Sequence, residues 1–165
     1  MKYREEHRDL FTVNEDSGRV EKEPDCFPYC YAQCISADLG MFGGIVVEFN
    51  KRWDMKNKLI QDYGDQQFHF RFHQGIVLSE PVYDNGVPTM VFNLITKMTV
   101  ADRPTYKSLH STLVILRNNM KNMRLHKLAI PKIGCGIDGL DWEIVSKDIQ
   151  EVFKDTDIEI LVCIK

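Results

Sequence analysis

Apolar residues recur along this chain in two rhythms. Ile45, Val46, Phe49 and Trp53 are spaced as one face of a helix that begins at the preceding glycines, and Leu109, Leu113, Leu116 and Met120 repeat that spacing within a helix over 104–124. Pro104 and Thr105 suit its first turn. Trp142, Val145, Ile149, Val152 and Phe153 mark a last helix entered through Asp141 as N-cap, and 55–63 reads as a short helix ending near Gly64. Between these lie short, nearly continuous apolar runs at 27–36, 75–82, 89–96, 127–131 and 157–164. Their length and composition predict strands, several with both faces covered. The runs 75–82 and 89–96 are joined by Tyr83-Asp84-Asn85-Gly86, and the Asn-Gly pair predicts an antiparallel hairpin. Residues 1–11 predict an edge strand ending near Asp9, and the polar stretch 12–25 a solvated loop. Strands alternating with helices, plus one hairpin, give an α/β class with a mixed sheet between helices.

Two loops interrupt this pattern in the same way. After the strand at 127–131, three glycines fall within six residues (Gly134, Gly136, Gly139) before the last helix. Glycine allows positive φ and close approach of a ligand, and the N-terminus of the following helix is expected to add unpaired N–H donors, so phosphate is the natural guest. The string Gly134-x-Gly136-x-x-Gly139 matches the dinucleotide fingerprint, but it lies about thirty residues from the C-terminus, away from the strand-helix-strand context that the fingerprint requires. The second loop, 36–44, also leads from a strand into a helix, through Gly40, Gly43 and Gly44. Two such loops at the carboxyl ends of strands would line one crevice.

Length and charge narrow the partners. The 165 residues suit one domain, 1–165, with a single substantial core. With 21 basic and 24 acidic residues the net charge is −3, so direct nucleic-acid binding is not expected and an anionic ligand must be held by local geometry. The aromatic and polar alternation at 65–73 accordingly reads as half-buried packing rather than a base-stacking surface. No N-terminal apolar leader or membrane-length apolar run is present, so the expected location is the cytoplasm and/or nucleus, with no membrane association. Five cysteines read as reduced thiols. Cys26, Cys30 and Cys34 lack the second ligand pair that structural zinc requires, and His69 and His73 lack an accompanying carboxylate or thiol cluster, so no metal site is expected. Lys97, at the end of an apolar strand, is either a snorkelling surface residue or a desolvated amine able to act as a nucleophile.

The order of motifs then carries a resemblance. Asp9-Leu10-Phe11, Cys34-Ile35-Ser36-Ala37-Asp38 with Met41-x-Gly43-Gly44-Ile45, Leu94-Ile95-Thr96-Lys97, Pro104-Thr105-Tyr106, and Pro131-Lys132-Ile133-Gly134-Cys135-Gly136-Ile137-Asp138 with Trp142-Glu143 resemble macrodomains. Within them the chain looks like the terminal ADP-ribose protein glycohydrolase group, also O-acyl-ADP-ribose deacylases. The resemblance implies a three-layer α/β/α fold and a hydrolase acting on ADP-ribose and ADP-ribosylated proteins, with neither metal nor organic cofactor; a monomer is expected. It assigns Asp9 and the backbone of Leu10 to the adenine amino group, and Ser36, Gly43, Gly44 and Ile45 to the pyrophosphate and distal ribose. Gly134, Cys135 and Gly136 would close over the phosphates, with Met41, Thr96, Ile133 and Ile137 as further substrate-binding residues. Lys97 would attack the anomeric carbon of the distal ribose and Asp138 would handle protons. A non-catalytic ADP-ribose reader and a phosphatase of phosphorylated ADP-ribose are the alternatives. Phe42 stands where the group commonly has glycine, and Arg8 where a glycine commonly precedes the aspartate. The chain also ends Leu161-Val162-Cys163-Ile164-Lys165, without the aromatic that the family carries near the adenine.

Overall fold

The computed structural model describes residues 1–15, 27–41, 43–64 and 73–165. Its strands are β1 (Lys2–His7), β2 (Cys30–Ser36), β3 (Val77–Asp84), β4 (Val87–Lys97), β5 (Lys127–Ile130) and β6 (Glu159–Ile164). Its helices are α1 (Ile45–Trp53), α2 (Met55–Tyr63), α3 (Tyr106–Met123) and α4 (Trp142–Phe153). The sheet order is β1-β6-β5-β2-β4-β3, parallel throughout except for β3, which pairs antiparallel with β4. At the hairpin, Asn85 and Gly86 both take positive φ, the double left-handed turn that an Asn-Gly pair favours.

Alternation along the strands sorts the core into two layers. Tyr31, Ile35, Leu78 and Ile95 face Phe49, Trp53, Met55 and Leu59 of α1 and α2. Ala32, Phe92, Leu94, Ile130 and Ile160 face Leu109, Leu113, Leu116 and Met120 of α3 and Val145, Ile149 and Phe153 of α4. Burying each of the larger side chains stabilises the fold by about 1.5–3 kcal/mol, so both faces of the sheet must be covered. This is the three-layer α/β/α arrangement.

Several boundaries differ from the pattern-based expectation for local reasons. β1 ends at His7 rather than near Asp9, because the Asp9 carboxylate accepts from the Phe11 N–H at 2.9 Å and opens a 3-10 turn, Leu10–Thr12. β2 starts at Cys30 rather than 27, since Pro28 has no N–H for a ladder and Phe27 is exposed. Thr105 is the N-cap of α3, not part of its first turn, with Pro104 just outside; the Thr105 hydroxyl accepts from the Ser108 N–H and the Ser108 hydroxyl accepts from the Thr105 N–H. Cys26, Phe42, His69, most of the 12–25 loop and nearly all of the aromatic run at 65–73 fall outside the described residues.

One buried charge gives the fold a pH signature. Glu80, on β3 and 3% exposed, faces α2; burial, then contact with Asp62, pushes its carboxyl up to about 7, against an opposing pull from Lys58. In the unfolded chain this group ionises near the ordinary carboxylate value, so its contribution to stability is complete below about pH 4.5 and is lost as pH rises through about 7. Denaturant titrations from pH 4.5 to 8 should show the native chain losing about 1–2 kcal/mol that Glu80→Gln does not lose, after discounting for solvent screening. Parallel curves for the two proteins would contradict this.

Candidate functional site

The carboxyl ends of β2, β4 and β5 open into a cleft of about 480 Å³. This is the ligand position expected of an open α/β sheet, where the strand order turns outward from a central strand. Three loops wall it: 37–44 after β2, 98–105 after β4 and 131–141 after β5.

The key polar pair reaches the cleft through an irregularity in β4. Ile35 of β2 pairs with Ile95, but the next residue, Ser36, pairs with Lys97, so Thr96 is an inserted residue of a β-bulge. Bulges re-aim side chains, and the Thr96 carbonyl is taken up by the hydroxyl of Ser108, which donates to it at 2.7 Å. Lys97 Nζ donates to Asp138 Oδ1 at 2.7 Å and to the Val100 carbonyl at 3.4 Å. Both side chains are largely buried, 11% and 18% exposed. An amine and a carboxylate in direct contact, shielded from water, can exchange a proton without a solvent intermediary.

The 131–141 loop is folded on itself. The N–H groups of Ile133, Cys135, Gly139 and Leu140 donate to the carbonyls of Pro131, Lys132, Gly136 and Gly134. Gly134 has φ +75°, a backbone conformation that favours glycine, and a Cβ there would stand a tight 3.1 Å from Leu140 Cδ1. The N–H groups of Gly136, Ile137 and Asp138 have no acceptor among the described residues, and these three residues border the cleft. Opposite, Gly44 is the N-cap of α1 with φ 73° and ψ −154°, a region essentially restricted to glycine. The first N–H groups of α1 have no carbonyl within the helix and line the same cleft with Gly43, Ile45 and Val46. The donors that a helix contributes therefore come from α1 and join those of the 131–141 loop. No residue of α4 lines the cleft, contrary to the expectation from sequence: Asp141 caps α4, accepting from the Glu143 N–H at 2.9 Å. Ile137, 73% exposed, leans across from the 131–141 loop so that a Cβ on Gly43 would stand 2.9 Å from its Cδ1.

Of the residues assigned to the site from sequence, Ser36, Met41, Gly43, Gly44, Ile45, Lys97, Ile133, Gly134, Gly136, Ile137 and Asp138 border the cleft. Asp9, Leu10, Thr96 and Cys135 do not: Asp9 caps its own turn, Leu10 is buried in the α1–α2 layer, Thr96 is buried at the bulge, and the Cys135 thiol donates to the Ile133 carbonyl. Cys34, Ile35, Val46, Val100, Pro131 and Lys132 border it as well, with no role implied by the sequence. Cys34 is no rival nucleophile, because burial, reinforced by the charge of Asp138, pushes its thiol up to about 12. Cys135 is likewise raised, to about 11, by burial and Asp141. Among the described residues no three His, Cys, Asp or Glu side chains form a metal-holding group.

Asp38, in the 34–38 motif, has no role implied by the resemblance, yet it is heavily bonded. Its Oδ1 accepts from the Ser36 hydroxyl at 2.5 Å and the Gly40 N–H at 3.1 Å, and its Oδ2 from the Val100 N–H at 3.1 Å. Desolvation pushes its carboxyl up, but these donors outweigh that and hold it below the usual carboxylate range.

No family model matches the sequence. Human ADP-ribose glycohydrolase OARD1 is 34% identical over 131 residues, covering 79% of this chain and 78% of that protein. The bovine protein of the same name is 33% identical over 129 residues, 78% and 77% of the two chains. Among solved structures, the macrodomain of Thermus aquaticus DarG superposes with a TM-score of 0.75 at 18% identity, covering 98% of this chain and 97% of that one. Thermosipho africanus DarTG, solved in complex with ADP-ribose, gives 0.74 at 16% identity over 99% of this chain and 42% of the other.

Proposed function

This chain belongs to the macrodomains, in the family of the ADP-ribose glycohydrolases OARD1, and on that premise we propose that it removes ADP-ribose from glutamate and aspartate side chains of modified proteins and deacylates O-acyl-ADP-ribose. The observation that carries the reading is the shielded Lys97–Asp138 contact of 2.7 Å in a cleft walled by two glycine loops. Backbone N–H groups of Gly136, Ile137 and the start of α1 receive the pyrophosphate, which needs donors rather than net positive charge. Lys97 Nζ passes a proton to Asp138, and its freed lone pair attacks the anomeric carbon of the distal ribose. As the carbon–nitrogen bond forms, the bond from that carbon to the acyl oxygen breaks, and its electron pair leaves on the carboxylate of the modified side chain. Asp138 then returns its proton to the lysine nitrogen as the carbon–nitrogen bond breaks and water adds at the anomeric carbon; one water proton stays on the new hydroxyl and the other leaves to solvent, giving free ADP-ribose, the lysine ammonium and the Asp138 carboxylate.

The test is direct. Incubating the chain with a protein carrying glutamate-linked mono-ADP-ribose should release free ADP-ribose and restore an unmodified glutamate by mass spectrometry. A serine-linked substrate, whose leaving group is far more basic than a carboxylate, should stay intact at the same enzyme concentration. Failure to cleave the glutamate ester would refute the proposal.

A further inference from the structure

We infer that Asp38 is a positioning residue for Lys97, a clamp that fixes the Val100 carbonyl on which the lysine amine is aligned. The inference rests on the reading of Lys97 as the nucleophile. Two turns meet at this point, 37–41 after β2 and 98–100 after β4, and Asp38 holds both. Its Oδ1 secures the first turn through Gly40 N–H and the Ser36 hydroxyl, and its Oδ2 secures the second through Val100 N–H. The backbone completes the seam: Ala37 N–H donates to the Lys97 carbonyl at 2.9 Å and Asp38 N–H to the Met98 carbonyl at 3.1 Å. A Cβ on Gly40 would stand 2.5 Å from a Val100 methyl, so the turns meet at the limit of contact.

The clamped turn ends on the nucleophile. Val100, whose N–H is held by Asp38, offers its carbonyl to Lys97 Nζ at 3.4 Å, while Asp138 takes the same amine at 2.7 Å. Two acceptors at fixed positions define the direction of the lysine side chain, which would otherwise sample many rotamers. The first turn also stores strain that needs an external restraint: Leu39 and Met41 sit at φ 55° and 50°, uncommon for bulky residues, and Met41 borders the cleft.

Asp38→Asn separates this role from a general structural one. Asp38 is exposed, so the isosteric change leaves the core untouched. Asparagine keeps an oxygen for Gly40 and Ser36 but turns an amide N–H₂ toward the Val100 N–H, which breaks only the link to the second turn. The kcat for release of ADP-ribose from a glutamate-linked substrate is expected to fall about 10- to 100-fold, because attack depends steeply on the aim of the nucleophile. KM, the ADP-ribose Kd by calorimetry and the melting temperature should stay near those of the unsubstituted protein, Kd within about threefold. Asp38→Ala, which frees both turns, should lose binding as well. An unchanged kcat in Asp38→Asn, or a kcat that falls only in step with Kd or melting temperature, overturns the inference alone. An unsubstituted chain that releases no ADP-ribose, or a Lys97→Ala variant that releases it at full rate, overturns the nucleophile reading and the inference together.

Discussion

Replacing Lys97 by alanine is expected to lower turnover of a glutamate-linked ADP-ribosyl substrate by about a thousandfold or more, with ADP-ribose affinity held within about threefold. A loss of that size corresponds to about 4 kcal/mol of transition-state stabilisation, more than a surface ion pair could account for. Affinity should survive because, on the proposed reading, the donors to the pyrophosphate are main-chain groups of the 131–141 loop and α1, none of which depends on the lysine side chain. Asp138→Asn should also reduce turnover strongly, since an amide cannot take the proton from Nζ. Initial rates and calorimetry on the same preparations separate the two quantities. A Lys97→Ala protein that keeps a tenth of the activity would require a water nucleophile instead.

The second large effect lies at the opposite end of the sheet. Asp84→Ala should destabilise the chain by about 3–5 kcal/mol in urea or thermal unfolding, because it strips the partner from several buried groups at once. The Asp84 side chain has no exposure. It accepts from Tyr31 Oη through a short hydrogen bond, from Asn14 Nδ2 at 3.0 Å and from Arg52 Nη2 at 2.7 Å. Burial and the neighbouring carboxylate keep the Tyr31 hydroxyl protonated and therefore a donor. Arg52 in turn lies over the rings of Phe11 and Trp53, 5.3 and 5.2 Å from their centroids. Asp84→Asn, which keeps one acceptor oxygen, should cost less than the alanine variant. A loss below about 1 kcal/mol for alanine would mean that water replaces the carboxylate at little cost.

Local signals carried most of the architecture. The stripe Leu109, Leu113, Leu116 and Met120 and the Asn85-Gly86 pair depend on residues within a few positions of one another, and both delivered the elements they imply. The layers followed because strands with two apolar faces need a helix on each. The two glycine loops pointed to the crevice, and the residues assigned to it came from the resemblance. What could not be read depends on closures across the chain. The β4 bulge sits in Leu94-Ile95-Thr96-Lys97 with no glycine to mark it, and it exists because the Thr96 carbonyl finds Ser108 on a different element. Asp38 looks like any turn aspartate until its second oxygen meets Val100, 62 residues away. Asp84, drawn in sequence as part of a hairpin turn, becomes the centre of a buried network only when Asn14 and Arg52 arrive from other segments. The donors expected at the start of α4 stay out of the cleft for the same reason: the Leu140 N–H returns to the Gly134 carbonyl and closes the loop before the helix begins.

The glycine loops have a kinetic consequence. If the site grips phosphate with uncharged amides as proposed, then on a chain of net charge −3 it has no long-range field to draw an anion in. Encounter with an ADP-ribosylated protein would then proceed at the unsteered rate, and added salt would change affinity far less than it does for a basic groove. Selectivity would arise after contact, from how long the ligand stays between the two loops, so differences among substrates should appear in dissociation rates.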